Sequence, residues 1–249
     1  MAAPIYSGAT ATGATVSSGG TQNVLGTASG TVLSGGTENV YGIDRSATVA
    51  SGASQVVEVG GTAIGATVSS RGTQYDAGTA SNTTLSGGIE VVYASAAGTV
   101  ITSGGREIVS SGGFANATAI SGGTMEVVSG GSAGTVLFGS SGILQLDSLA
   151  AFGGTISGFH LGDEIDLRSL GFTSGVTTLS WTQLTSGGSA SGTLTVLSSG
   201  AAVETLTLLG QYSLANFSAT SDGFGGTLIT DPPTGASVIE PTSITVAHS

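Results

Sequence analysis

The amino-acid sequence predicts an all-β protein, a parallel β-solenoid of short 16–19-residue coils followed by a β-rich C-terminal region. The main observation is a threonine, preceded by small residues, that returns eight times: Thr15, Thr31, Thr48, Thr67, Thr83, Thr99, Thr118 and Thr135. The spacings are 16, 17, 19, 16, 16, 19 and 17 residues. A unit of this length has nothing to bury its apolar side chains against. Such repeats are stable only when they stack on their neighbours.

Glycines separate the short strands within each unit. Ser-Gly-Gly triplets follow several of the threonines, as at 18–20 and 34–36. In the unit 30–42, alternating residues predict two short strands, joined at a corner where glycine can adopt a positive φ. Stacked coils would pair by parallel ladders, and each coil would add ~4.8 Å along the axis.

Equivalent positions of successive coils are expected to form columns. The eight threonines form one column, which faces outward or lines a turn. Two apolar columns are predicted, one of Val16, Val32, Val49, Val68, Val100 and Val136, the other of Val24, Val40, Val57, Val92 and Val109. A polar column contains Gln22, Glu38, Gln55, Gln74, Glu90 and Glu107, and then slips by one place to Glu126 and Gln145. Because like charges repel across strands, we expect this column to be solvated, with a bridging cation as the alternative.

The period breaks near residue 150, and other strand patterns follow. Apolar strands are predicted at 178–184, 192–197 and 203–209, with a hairpin at 198–202, one helical turn at 214–217 and a closing strand at 225–230. We therefore divide the chain into a repeat solenoid at 1–149, a C-terminal β region at 150–231 that continues and caps it, and a β-prone tail at 232–249.

The tail begins with Pro232 and Pro233, which interrupt strand pairing. Its apolar residues are Val238, Ile239, Ile244 and Val246. Two interpretations stay open, a disordered export signal or an assembly strand that joins copies of the chain into filaments.

The charge balance excludes several classes of partner. The chain has four arginines, no lysine and 15 carboxylates, with a net charge of −11. Nucleic acids and anionic membranes are bound through basic patches, so neither is expected as a partner. No apolar run reaches the ~20 residues of a membrane helix, and the first residues lack the pattern of a signal peptide. The absence of cysteine excludes disulfides and cysteine-based zinc sites.

Few residues are available for catalysis. His160 and His248 are the only histidines, and cysteine and lysine are both lacking. We therefore predict no enzyme, no catalytic residues and no assigned ligand-binding residues. Asp163 and Asp166 could form a calcium site or an acid–base pair. The simpler interpretation is a turn at Asp163 and a solvated strand residue at Asp166. Calcium is accordingly the one cofactor considered.

The segments 18–24 (Ser-Gly-Gly-Thr-Gln-Asn-Val) and 34–40 (Ser-Gly-Gly-Thr-Glu-Asn-Val) resemble the AIDA-type repeat of autotransporter adhesins. The resemblance covers roughly residues 7–149 and implies a β-solenoid displayed outside a bacterial cell, often in adhesion or aggregation. The segments 162–167 and 222–227 are similar to C-terminal modules of bacterial surface proteins exported by type I secretion. Two origins therefore stay open, an excised autotransporter passenger or a protein exported by another route.

These observations predict a secreted structural protein of the bacterial surface, extracellular matrix or biofilm, acting in adhesion or aggregation. Its expected partners are other copies of itself and cell-surface or matrix polysaccharide. One alternative is a polysaccharide-binding or polysaccharide-degrading β-helix, although Trp181 and five tyrosines offer few surfaces for stacking sugars. A second alternative is an ice-binding protein with a regular threonine array.

Overall fold

The computed structural model describes residues 4–149 and 152–231. Its fold is the predicted parallel β-solenoid, with nine stacked coils whose strands form three walls. The described ranges contain strands and two short 3₁₀ turns, and none of their helices is long and apolar enough to span a membrane. The fold class predicted from the repeat is thus confirmed.

Coils one to seven contribute one short strand to each wall. The first wall contains β1 (Thr10–Thr12), β4 (Thr27–Ser29), β7 (Ile43–Arg45), β10 (Thr62–Ile64), β13 (Thr79–Ser81), β16 (Ser95–Ala97) and β19 (Phe114–Asn116). The second wall contains β2 (Thr15–Ser17), β5 (Val32–Ser34), β8 (Thr48–Val49), β11 (Thr67–Ser69), β14 (Thr84–Ser86), β17 (Val100–Thr102) and β20 (Thr118–Ser121). The third wall contains β3 (Thr21–Val24), β6 (Thr37–Val40), β9 (Ser54–Val57), β12 (Thr73–Asp76), β15 (Ile89–Val92), β18 (Arg106–Val109) and β21 (Thr124–Val127).

Coils eight and nine have longer strands on the first and second walls. β22 (Ser132–Ser140) runs across both the first and the second wall, pairing with β19 and β20, and β24 (Phe152–Ser157) pairs along it. β23 (Ile143–Leu146) and β25 (Glu164–Leu167) continue the third wall in parallel register. The ninth coil lies beyond residue 150, where the sequence period is lost but the parallel pairing is kept.

Antiparallel strands close the C-terminal end of the solenoid. β26 (Thr177–Thr185), β27 (Ser191–Ser198) and β28 (Ala201–Leu209) form a meander, which joins the solenoid where β28 pairs parallel with β24. β30 (Thr227–Thr230) pairs antiparallel with β25, and β29 (Ser218–Ser221) pairs with β30. The 3₁₀ turns are Gly187–Ser189 and Leu214–Asn216, the second at the predicted helical position.

An aromatic cluster fills the interior beneath this cap. The ring of Phe217 stacks on Phe159 at 5.9 Å, and its centroid lies 5.3 Å from that of Trp181 and 5.5 Å from that of Tyr212. Phe138, from the eighth coil, meets Phe159 edge-on at 5.8 Å. The cluster therefore joins the last regular coils to the antiparallel strands.

The interior columns are regular, and one differs from the prediction. Val24, Val40, Val57, Val92 and Val109 are fully buried in one file, as predicted. On the second wall the buried file is Val16, Leu33, Val49, Val68, Leu85, Ile101, Ile120 and Phe138. Val32 and Val100 point outward, whereas Val136 is buried in a different file, stacked on Thr118 two places before Phe138. A shift of one residue turns a side chain to the other face of a strand, and the larger Leu33 and Ile101 take the inward place.

The corners need glycine for two different reasons. Gly35 has a φ of +78°, which a side-chain-bearing residue seldom adopts. Gly61 has an ordinary φ, but a Cβ at this position would overlap the carbonyl oxygen of Val40 in the coil below. Close stacking of the coils therefore requires glycine at positions where the local turn geometry alone does not.

Candidate functional site

The structure distributes the eight repeat threonines over three positions. Thr15, Thr48 and Thr67 share an outward position on the second wall. Thr31, Thr83, Thr99 and Thr118 lie one residue earlier in the register and are buried. Thr135 stacks on Thr155, with their hydroxyl oxygens 3.4 Å apart. The single threonine ladder is thus corrected to separate files, and the ice-binding alternative loses the continuous array on which it depended.

The polar column lies inside the solenoid. Gln22, Glu38, Gln55, Gln74, Glu90 and Glu107 stack in register on the third wall, and none exposes more than 2% of its surface. The prediction that this column is solvated was wrong. Its residues stand two places before the buried valines, and positions two apart on a strand share one face. The predicted slip is present, since Glu126 and Gln145 occupy the adjacent outer column.

Three of the four buried threonines donate hydrogen bonds to this polar column. The hydroxyl of Thr83 donates to Gln74 Oε1 at 3.2 Å, and that of Thr99 donates to Glu90 Oε2 at 2.9 Å. Thr118 Oγ1 donates to Glu107 Oε2 at 2.8 Å. Each bond links one coil to the coil before it.

The polar partners disappear together towards the cap. In the coil after Thr118, Val136 occupies the threonine position. In the coil after Glu107, Met125 occupies the carboxyl position. A polar pair is thus replaced by an apolar pair, which leaves no polar group without its partner.

Two acids face each other in coils two and three. Asp44 occupies a position filled by alanine in the coils on either side, at Ala28 and Ala63, and is buried. Gln55 Nε2 donates to both carboxyls, at 2.9 Å to Glu38 Oε2 and 2.6 Å to Asp44 Oδ2. Burial raises the pKa of Glu38 to about 8, with a further contribution from the charge of Asp44. Burial likewise raises the pKa of Asp44.

A second acidic cluster lies in coils four to six. Asp76 takes the place of a valine in the buried file, and Glu90 lies in the next coil of the same wall. Burial raises the pKa of Asp76, and the charges of Glu90 and Glu107 raise it further. The pKa of Glu107 is raised to about 8, first by burial and then by Glu90. All four arginines of the chain are exposed, so among the residues that the structure describes these acids have no cationic partner in the interior.

Asp163 and Asp166 have separate partners. Asp163 is buried, accepts a 2.8 Å hydrogen bond from the backbone N–H of His160, and also contacts the Nδ1 atom of that histidine. Asp166 stacks on the outer column of the third wall, 3.1 Å from Arg168 Nε. In the part of the chain that the structure describes, no three His, Asp or Glu side chains are grouped to hold a metal. Calcium binding at these residues stays a prediction.

The predicted assembly residues lie in the tail. Val238, Ile239, Ile244 and Val246 fall outside the described residues, and their assembly role stays a prediction.

A polar chain crosses the outer face of the third wall near the cap. Arg106 forms an ion pair with Glu126. Gln145 Nε2 donates a 3.1 Å hydrogen bond to Glu126 Oε1, and the Arg168 guanidinium donates a 3.1 Å hydrogen bond to Gln145 Oε1. Two shallow grooves of about 390 and 400 Å³ run beside it, and Phe224 lies under the Arg168 guanidinium at 5.6 Å. Arg106 and Arg168 are each paired with a carboxylate, so the grooves offer hydrogen-bonding groups and little net charge.

Four of the five tyrosines form a "tyrosine edge" along one side of the rod. Tyr6, Tyr41 and Tyr93 directly follow third-wall positions, and Tyr75 points outward from β12. Their exposed fractions are 69%, 48%, 50% and 37% in that order. Tyr41 and Tyr93 are three coils apart, a distance of ~14 Å along the axis. The sequence indicated few surfaces for stacking sugars, because its tyrosines are far apart along the chain. Coiling brings four of them to one side of the rod.

Among solved structures, the chain is similar to the crystal structure of the TibC-catalysed hyperglycosylated TibA55-350 fragment. The TM-score is 0.57 at 29% sequence identity, and the match covers 66% of this chain and 70% of that chain. The likeness supports an AIDA-type β-solenoid of the bacterial adhesin kind. No protein-family model matches the chain, and a search of curated proteins gives no match either. The similarity of the C-terminal region to type I-secreted proteins stays a prediction.

Proposed function

We propose that this protein is a secreted bacterial structural protein of the cell surface or extracellular matrix, which acts in adhesion and aggregation. The observation that carries the proposal is the regular rod of nine coils, whose outer faces repeat every coil while its interior is closed. The likeness to the TibA fragment supports it. Five described carboxylates lie in the interior and two more form surface ion pairs with arginine, and this arrangement supports a mechanical role over a catalytic one.

The tyrosine edge is the surface that we assign to adhesion. An exposed tyrosine offers an apolar ring and a hydroxyl, which suits a partner with both apolar faces and hydroxyl groups. Sugar rings have this character. Beside the edge, Asn39 Nδ2 donates to Asn23 Oδ1 at 2.8 Å in an exposed amide ladder that adds hydrogen-bonding groups. The net charge of −11 disfavours acidic polymers, so the proposed partner is a neutral surface or matrix polysaccharide.

A binding assay on immobilised neutral polysaccharide tests this assignment. The double variant Tyr41→Ser/Tyr93→Ser should bind roughly tenfold more weakly, because aromatic anchors dominate such contacts. Phe114→Ser is the matched control, since Phe114 is also an exposed aromatic residue but lies on the first wall. Equal binding by the tyrosine variant and the wild type would show that the edge is not the contact surface.

Self-association into filaments is the second part of the proposed function. Within the described residues, β26 pairs only with β27, and β29 pairs only with β30. Each therefore presents an edge that another strand can extend. The tail at 232–249 follows this end of the solenoid and is our candidate for that strand. Electron microscopy should show filaments of the full chain and fewer with a chain ending at Asp231. Equal assembly of the two would remove the tail from the proposal.

Display of covalently attached sugars is a second candidate function. The TibA fragment is hyperglycosylated by TibC. In this chain, exposed serines recur at the coil corners, at Ser18, Ser34, Ser51, Ser70, Ser86 and Ser103. Mass spectrometry of protein from its native host should find sugar on these serines. Unmodified corner peptides would contradict this candidate and leave the adhesive role untouched.

A further inference from the structure

Five of the chain's fifteen carboxylates lie in the interior of coils two to six, at Glu38, Asp44, Asp76, Glu90 and Glu107. Nothing in an adhesive rod requires acids there, and valine or alanine fills two of the same positions in neighbouring coils. Burying an ionised carboxylate without a cation is costly, so such groups either become neutral or find a counter-charge.

The first pair of acids has the geometry of a shared proton. Glu38 and Asp44 both accept from Gln55 Nε2, which holds the two carboxyls on either side of one amide. The other oxygens, Glu38 Oε1 and Asp44 Oδ1, are buried without a donor. A proton on either acid would supply the missing donor. The remaining polar groups of this region, Gln22 and Thr31, are neutral.

The second pair repeats this arrangement with different partners. Asp76 and Glu90 are both buried in adjacent coils of the third wall, and neither Asp76 oxygen has a hydrogen-bond donor. Glu90 accepts from Thr99 through Oε2, while its Oε1 is buried without a donor. The titratable neighbour is Glu107, and the other polar groups facing the cluster are Gln74, Thr83 and Thr118. Arg106, which precedes Glu107, points outward to Glu126.

We propose that the solenoid interior holds two shared protons, one between Glu38 and Asp44 and one between Asp76 and Glu90, and that their loss in alkaline medium loosens coils two to six. The rod is then a pH-responsive element, tightly stacked in acidic and neutral surroundings and softer in alkaline ones. Loss of the protons places like charges opposite each other in an interior that has no cation to offset them.

Thermal unfolding of the full chain at about pH 5 and about pH 9, in the presence of a chelator, tests the proposal. The wild type should melt roughly 5 to 10 °C lower at the higher pH. In the double variant Glu38→Gln/Glu90→Gln, each new amide replaces a protonated acid and donates to the remaining carboxylate of its pair. The difference in melting temperature between the two pH values should therefore fall by at least half. Glu58→Gln, at an outer corner, is the control and should behave as the wild type.

Infrared spectroscopy gives a readout that does not depend on the variants. Protonated carboxyl groups should absorb in the wild type at neutral pH and disappear on alkaline titration. Absence of that absorption at neutral pH would overturn the proposal. So would an equal melting difference in the double variant and the wild type. Restoration of alkaline stability by calcium would also overturn it, because a bound cation would then occupy the place of the protons.

Discussion

The hydroxyl of Thr99 donates a 2.9 Å hydrogen bond to the carboxyl of Glu90, and this bond connects two successive coils through the interior. Parallel backbone ladders hold the walls together but are the same at every coil. The bond from a buried threonine to the polar column forms only when both side chains face the interior, and a slip of one residue would turn a side chain to the other face. Buried polar contacts of this kind can therefore fix the register of the stack, at some cost in stability.

We expect Thr99→Val to destabilise the protein by about 1–3 kcal/mol, because the shape is kept while Glu90 loses its hydroxyl donor. Thr67→Val is the control, since Thr67 lies on the outer face of the second wall. Urea denaturation of the two variants gives the comparison. Similar midpoints for both would mean that the interior bond adds no stability.

Glu107 should make stability depend on pH. Its pKa is raised from 4.5 to about 8 by burial, so the folded protein keeps the proton after the unfolded chain has lost it. Stability from this group is complete below pH 4.5 and is lost progressively as the pH rises to about 8, where the loss levels off. Glu107→Gln should flatten this slope in denaturant titrations at a series of pH values. An unchanged slope would show that Glu107 is ionised in the folded protein.

Gly61→Ala should destabilise the solenoid by roughly 2 kcal/mol or more, because the added Cβ overlaps the carbonyl oxygen of Val40. Gly153→Ala provides a matched control, as a Cβ there meets no atom within 4 Å. Thermal unfolding measures the difference. The prediction fails if both variants melt at the same temperature.

Removal of the aromatic ring in Phe217→Ala should cost about 3–5 kcal/mol, because three other rings lose their packing against it. Phe224→Ala should change stability little, since 84% of the side chain is exposed. Hydrogen exchange can localise the effect. We expect protection to fall first in β26 to β28, and a uniform loss along all coils would contradict a separate role of this cluster in the cap.

The third wall could be predicted well because its strands alternate clearly. In Gln22-Asn23-Val24 and Glu38-Asn39-Val40 the valine marks the buried side. The same alternation places Gln22 and Glu38 inside, but the reluctance of charges to be buried favoured the opposite assignment. A protonated carboxyl removes that objection, and protonation depends on neighbours such as Asp44 and Gln55 that come from other strands.

The second wall could not be placed in register from the sequence. Val32-Leu33 and Val100-Ile101 each put two apolar residues side by side, so either could face inward. The structure buries Leu33 and Ile101 and leaves the two valines outside. The interior volume left by the other two walls decides this choice, and a local pattern does not contain that information.

The sequence by itself determined the repeat length, the all-β class, the glycine corners and the scarcity of cations. Only the tertiary structure decided which threonines and acids are buried and which tyrosines share one edge. The physical reason is that residues about one coil apart become neighbours only after stacking. A difference of one residue in each coil then turns a side chain from solvent into the core.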